Sequence, residues 1–541
     1  MRKSGILMHL ASLPSEYGVG TMGAAARKFA DFLSDAGQQY WQLLPICPTS
    51  YGDSPHQSFS TFAGNPYFID LDLLASEGLL DKKEYVSVNW GDDVSRIDYG
   101  RLYEQRYPVL KLAAKRFLEN EPEDFETFCE LQAFWLEDYA LFMTLKDTHG
   151  GCSWWQWEDE LKRRDHSAID KVRETMAEQI AFWKVLQYFF FRQWKSLKQY
   201  VNDKGIDFIG DLPIYVSQDS VDVWAHPELF QLDENLMPKE VSGCPPDGFS
   251  ATGQLWGNPL FDWDKMAEDD YAWWVGRIDY FCHIYDVLRI DHFRGFDSYF
   301  AIPYGAETAK DGYWKQGPGM KLFNAVEAKI GKQPIIAEDL GFLTDSVKKL
   351  LADSGFPGMK VFELGFDSRD TNGNGYQPHN FIRDCVAYTG THDNDTIQGW
   401  FASADPVDTE WAREYFRLTK EEGYHWGMMR ALWGSVADTA IVQAQDLLGL
   451  GSEARMNEPS TVGRNWQWRA LPGVFTEELA QKIHRLYLII FLKQSELALL
   501  PSWHLPWQRF LNCFCQMFWD YRLSHRYKTS GREFSAHGRF I

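Results

Sequence analysis

Eight short apolar runs, each closing on polar, Gly or Pro residues, recur along this chain at residues 5–10, 40–45, 207–216, 287–291, 334–338, 359–366, 385–389 and 439–447. Runs of this length without polar alternation are what strands buried on both faces look like. Between the later ones lie amphipathic stretches of helical period, residues 311–330, 343–354 and 408–433. Apolar strands alternating with helices imply a parallel sheet covered by helices, and eight such units are the number that closes a (β/α)8 barrel. An open doubly wound sheet has the same alternation; the count of eight favours the barrel.

A plain barrel needs only about 250 residues, so a chain of 541 must carry large insertions. The widest gap between runs, about 50–205, is strongly helical in its second half, with charge and aromatics at helical spacing over 125–145 and 169–201. A second insertion, about 221–280, is rich in Gly, Pro and Trp. Insertions that follow barrel strands sit at the C-terminal face, where active sites form. The expected fold is α/β, a TIM barrel with large, mainly helical insertions on that face.

Composition narrows the partners. A net charge of −22 without any long Lys/Arg block excludes a polyanionic ligand, so no nucleic acid is expected. No apolar run is long enough to span a bilayer, and residues 1–10, which resemble a short leader, are broken by His9 and fit a strand better. The eight cysteines are scattered without zinc-like spacing to histidine, which points to reduced thiols and a cytoplasmic setting. The 23 Trp, 25 Tyr and 37 Phe supply core, and Trp faces also suit stacking on sugars.

Asp211, Asp291, Glu338 and Asp393 each stand at or just past the end of an apolar run. One acid there is usually a turn former or a helix cap. Four of them, with Arg289 and His392 among them, would converge on one barrel mouth. Two carboxyl groups can cleave a glycosidic bond, one attacking or activating water while the other donates a proton. Arg289, two residues before Asp291, shares its strand face and would hold it ionised. The neighbouring Asp339 offers one way to raise the Glu338 pKa by crowding of acids. His392 and Asp393 could instead ligate a metal, but no second histidine stands at ligand spacing, so no metal or other cofactor is expected. Asp395 and Thr396 read as caps of the next helix.

The strings Arg289-Ile290-Asp291-His292-Phe293-Arg294-Gly295, Ala337-Glu338-Asp339-Leu340-Gly341 and Thr391-His392-Asp393-Asn394-Asp395-Thr396 resemble the amylomaltases, the 4-α-glucanotransferases of glycoside hydrolase family 77 in the α-amylase superfamily. Tyr51-Gly52-Asp53-Ser54-Pro55, Gly210-Asp211-Leu212-Pro213, Thr252-Gly253-Gln254-Leu255-Trp256-Gly257, Arg455-Met456-Asn457 and Asn465-Trp466-Gln467-Trp468 extend the resemblance in order from Ser4 to about Leu486. The resemblance implies Asp291 as nucleophile, Glu338 as general acid/base and Asp393 as the third, transition-state carboxylate. It further implies substrate binding by Arg289, His392, Asp211, Asp367, Ser54, His56, Gln254, Trp256 and Asn465, with malto-oligosaccharides and α-1,4-glucans as substrates. The implied reaction is a retaining double displacement, with segment 242–259 as a lid that keeps water from the intermediate.

Three positions depart from the resemblance: His56 stands in place of a tyrosine, Gly248 in place of a larger residue, and Ser460 in place of a glycine. The chain also continues past the family's usual end. Residues 1–487 read as the catalytic barrel, and 488–541 as an atypical tail with Trp503, Trp507, Phe510, Phe514, Phe518 and Trp519 before a basic run at 522–539. That tail is either an added helical element or non-native sequence from a shifted reading frame, the second being favoured, and it is expected to contribute nothing to catalysis. An amylase-type hydrolase and a non-catalytic glucan-binding protein are the rival functions. Nothing in the sequence sets the oligomeric state.

Overall fold

The computed structural model describes residues 2–246, 250–341, 343–369 and 373–491. Its strands are β1 (Lys3–Leu7), β2 (Tyr40–Gln42), β3 (Asp207–Leu212), β4 (Glu240–Cys244), β5 (Gln254–Pro259), β6 (Val287–Ile290), β7 (Ser298–Pro303), β8 (Tyr313–Gln316), β9 (Ile335–Ala337), β10 (Gly358–Val361), β11 (Cys385–Tyr388) and β12 (Thr439–Gln443). The eight apolar runs are the eight strands of a closed barrel in chain order, β1-β2-β3-β6-β9-β10-β11-β12. Closure comes from the parallel pairing of β1 with β12, Lys3 opposite Thr439 through Leu7 opposite Gln443, and this excludes the open sheet.

Inside, Leu7, Ile209, Ile336, Met359, Val361, Val386, Tyr388 and Ile441 fill the barrel together with Leu44 and Met456. Each such side chain contributes about 1.5–3 kcal/mol by leaving water, and truncating Ile209 to Ala would cost about 2–5 kcal/mol. Gly210, next to Asp211, is required sterically: a Cβ there would fall 1.9 Å from the Tyr285 ring.

The first insertion is helical, as its periodicity implies. Its long elements are Tyr99–Glu119, Glu123–Leu131, Ala133–Thr148, His166–Thr175 and Ala177–Asn202. Asp98 caps the first and Asp165 the fourth, each accepting from backbone N–H groups that the first helical turn leaves free. The stretches expected to be continuous helix over 125–145 and 169–201 are interrupted at Gln132 and Met176.

The second insertion differs from its reading. Segment 242–259, within the part rich in Gly, Pro and Trp, is strand at both ends: β4 and β5 pair antiparallel and join β7 and β8 in a four-stranded sheet, order β5-β4-β7-β8. The helix expected over 311–330 starts only at Met320, because Tyr313–Gln316 is β8 and Gly317-Pro318-Gly319 breaks the chain before it. Likewise 408–433 is two helices, Pro406–Phe416 and Tyr424–Gly434, separated at Arg417 with φ +51°. The stretch 343–354 is the helix Asp345–Ser354, capped by Thr344.

The N-terminal apolar run is a barrel strand. Among the described residues no helix is long and apolar enough to cross a membrane. Met1–Ile490 forms one unit, and the last described helix, Glu477–Phe491, runs through the 487/488 boundary read from the sequence. Gly248 and residues 492–541 of the tail lie outside the described residues.

Candidate active site

Register brings the charged residues together. Asp211 on β3 lies opposite Arg289 on β6, and Ile290 opposite Ala337 of β9, so Asp291 and Glu338 leave adjacent strand ends. Arg289 Nη1 reaches Asp211 Oδ1 at 2.5 Å and Asp291 Oδ1 at 3.0 Å. The other Asp211 oxygen is 3.2 Å from His56 Nε2. Burial would push the Asp211 carboxyl up, but Arg289 and His56 outweigh it and hold it well below the usual range. Burial works to lower Arg289, and Asp211, Asp291 and Glu338 raise it instead. Arg289 is thus a permanent buried cation shared between two acids, and one of them, Asp291, remains partly exposed to the mouth.

Glu338 has the opposite environment. Burial first, then the Asp291 carboxylate, push its pKa up to about 8. Arg289 and two backbone donors act against this: His292 N–H donates to Oε2 at 2.6 Å and Leu340 N–H to Oε1 at 3.1 Å. Asp339, whose crowding the sequence suggested as the cause, turns away and accepts from Met359 N–H at 2.6 Å on the next strand. The acid that matters is Asp291. A carboxyl group whose pKa is raised in this way is suited to giving a proton as a general acid.

Asp393 follows β11 on the far side of β10. Asn457 Nδ2 donates to its Oδ1 at 2.6 Å, and His392 Nε2 lies 3.4 Å from Oδ2. Burial raises this carboxyl, but His392, the Asn457 bond and the more distant His56 and Arg289 bring it below its ordinary value. Arg455 donates to the Asp393 carbonyl at 2.7 Å. The turn itself is held by Asn394, whose Oδ1 accepts from Thr391 N–H at 2.9 Å and whose Nδ2 donates to buried Glu363 at 3.1 Å. Thr396 caps the next helix, accepting from Gly399 N–H, and Asp395 accepts from Thr396 N–H.

Of the other residues singled out in the sequence, several gather here. The His56 ring stacks on His392, centroids 4.6 Å apart at 20°. Ser54 Oγ accepts from His56 N–H at 3.2 Å and so orients that turn. Trp256 stands edge-on to His292 at 4.8 Å, with its Nε1 donating to Gln254 Oε1. Two residues are not brought to the carboxylates. Asp367 takes three hydrogen bonds from Arg369. Asn465 uses its side chain to tie together its own loop through Glu458 and Thr461. Its neighbour Trp466, with φ +65°, is the residue that reaches the site, 5.7 Å from the His56 ring and 5.9 Å from His392. Trp466, Asn457 and Arg455 stood inside recognised strings, but nothing in their spacing assigned them a part.

Comparison with known proteins gives the family. The sequence profile of the 4-alpha-glucanotransferase family matches residues 8–473. A 4-alpha-glucanotransferase of Clostridium butyricum is 52% identical over 481 residues, covering 88% of this chain and 98% of its own, and one of Thermus thermophilus is 46% identical over 488, covering 88% and 96%. The solved structure of amylomaltase from Streptococcus agalactiae in complex with acarbose superposes with TM-score 0.88 at 44% identity, over 91% of this chain and 99% of that one. This chain belongs to the 4-alpha-glucanotransferase family, glycoside hydrolase family 77, enzymes that transfer segments of 1,4-α-glucan.

Proposed function

We propose that transfer proceeds here by double displacement through Asp291. Asp291 attacks the anomeric carbon of the donor glucan while protonated Glu338 gives its proton to the departing glycosidic oxygen. The product is a covalent glucosyl ester on Asp291 and a free chain end. Glu338, now ionised, takes the proton from the 4-hydroxyl of an acceptor sugar, whose oxygen displaces Asp291 and regenerates the acid. Asp393 stabilises the positive charge that builds on the sugar ring. Arg289 pairs with Asp291 and aims it, and Asp211, His56 and His392 line the donor sugar's pocket, with Trp256, Trp466, Ser54 and Gln254 around it. The single observation that carries this reading is the Asp291–Arg289 pair at 3.0 Å beside a Glu338 whose pKa is raised to about 8.

Malto-oligosaccharides and α-1,4-glucans are the substrates on this reading, in line with the acarbose held by the Streptococcus agalactiae relative. Preference for a sugar over water as acceptor rests on the β4–β5 hairpin, which lays Trp256 against the turn after Asp291 as an aromatic wall. Catalysis is assigned to residues 1–487, with Asp367 and Asn465 as outer glucan contacts. The free thiols of Cys47, Cys129, Cys152, Cys282 and Cys385 support a reducing, cytoplasmic setting. Incubation with maltotriose tests the reading: longer chains plus glucose are expected, whereas only shorter products with rising reducing ends would mean hydrolysis.

A further inference from the structure

His56 and His392 are far apart in sequence, so no spacing rule pairs them, yet the barrel mouth stacks their rings. A nitrogen of each and a carboxylate oxygen of Asp211 all lie within 4.8 Å of one another. We infer that His56, Asp211 and His392 form a binding site for a divalent transition-metal ion of the zinc or nickel class, one that blocks the sugar pocket instead of serving the reaction.

The donor set selects the ion. Two imidazoles and one carboxylate suit zinc, nickel or copper, whereas magnesium and calcium require oxygen ligands. One edge of the site is already near the right length. His56 Nε2 and Asp211 Oδ2 are 3.2 Å apart, and ligands at about 2.0–2.1 Å around a tetrahedral ion stand about 3.3 Å apart. At present a proton bridges that edge; an ion would replace it, and His56 would release the proton to solvent. Asp211 can ligate without giving up its structural role, because its other oxygen stays on Arg289. Asp211 and His392 are almost wholly buried, so His56, the less buried of the three, is the ring that must turn out of the stack to aim its in-plane lone pair at the ion.

The surrounding charge favours a dication. Asp211, Asp291 and Asp393 face His56 with attractive charge, opposed by Arg289 on the same side of the pocket. A third imidazole adjoins the cluster: His9, just past the end of β1, is buried, interacts with His56, His392 and Asp211, and its Nδ1 has no hydrogen-bond partner among the described residues. It is an unclaimed donor beside the other three.

The blocking role rests on the assignment of this pocket to the donor sugar; the ion site itself does not. The test uses the full, tag-free chain and Ni2+ as probe, followed by calorimetry without substrate and by maltotriose kinetics. Wild type is expected to take up one ion and to show a raised apparent KM that chelator reverses. His56→Phe retains a ring against His392 but removes a ligand, and should weaken the ion more than about 100-fold, since outer-shell partners alone are worth about 10–100-fold. His379→Ala, which alters an exposed histidine outside the site, should bind as wild type does. Absence of binding to wild type, or undiminished binding to folded His56→Phe, would overturn the site. Binding that leaves KM unmoved would overturn the blocking role alone.

Discussion

The backbone N–H of His292 donates to Glu338 Oε2 at 2.6 Å, so the turn that follows Asp291 grips the acid on the neighbouring strand. His292 itself sits at φ +48°, in the left-handed region that side chains rarely adopt. The separation of Asp291 and Glu338 is therefore set in part by main chain, and the strain is stored between the proposed nucleophile and acid.

That grip favours the ionised acid, yet burial and Asp291 win and carry the Glu338 pKa up to about 8. The acid form needed for the first step is thus present below that pH, and kcat/KM should fall along an alkaline limb near pH 8. The same shift has a stability consequence. With the folded pKa above the unfolded 4.5, the folded state loses stability as pH rises from about 4.5 to about 8. Glu338→Gln should cut transfer about 10²–10⁴-fold. It should also unfold at a higher temperature than wild type at pH 8.5, by the equivalent of a few kcal/mol, with the gap closing near pH 4.

Asp291→Asn keeps the shape of the residue beside Arg289 and removes the anion that attacks. Maltotriose disproportionation should drop by about 10³-fold or more, the scale of losing a nucleophile. Activity close to wild type in a folded variant would refute covalent catalysis by Asp291.

Asn457 tests the third carboxylate from outside it. Its bond to Asp393 is one side of that acid's cradle, and hydrogen bonds to charged groups are worth about 1.5–3 kcal/mol. Asn457→Ala should lower kcat by about 10–100-fold if Asp393 acts mainly on the transition state, with KM for maltotriose moving much less.

The barrel was legible because its strands are buried on both faces, and eight unbroken apolar runs leave little else to form. The second sheet was not. In β8 Tyr313, Trp314 and Gln316 are exposed and Lys315 is only partly buried, so hydrophobic period carries no signal there, and the apolar helix behind it dominated the reading. The carboxylates were legible from their places at strand ends, and Arg289 from its two-residue spacing to Asp291. Contacts made across the barrel mouth were not: that Asp291 and not Asp339 crowds Glu338, or that Trp466 and not Asn465 turns toward His392, depends on loop conformations with no periodicity to read.

Ser460 is a case where sequence and structure meet. The resemblance has glycine at this position, and the structure puts Ser460 at φ +64° on an exposed turn. A left-handed conformation costs a residue with a Cβ roughly 1–2 kcal/mol. Part of that gain is offset by the greater freedom glycine has in the unfolded chain. Ser460→Gly should therefore stabilise the protein by about 1 kcal/mol or less in denaturant titration, with little change in transfer rate.

The tail offers the last test, and the structure moves where the cut belongs. Sequence resemblance ends near Leu486, but Glu477–Phe491 is one continuous helix, and Ile483 on it is buried. His484 and Tyr487 also lie close to Gly37, which follows the first barrel helix, Ala24–Asp35, at φ +69°. A stop after Leu486 would remove the helix's last turn along with Tyr487, and any lost activity would then report on barrel stability. A stop after Phe491 spares that contact. If residues 492–541 take no part in catalysis, the shortened chain should disproportionate maltotriose at the wild-type rate within experimental scatter and unfold at the same temperature. A folded chain ending at Phe491 that had lost transfer activity would show that the tail belongs to the working enzyme.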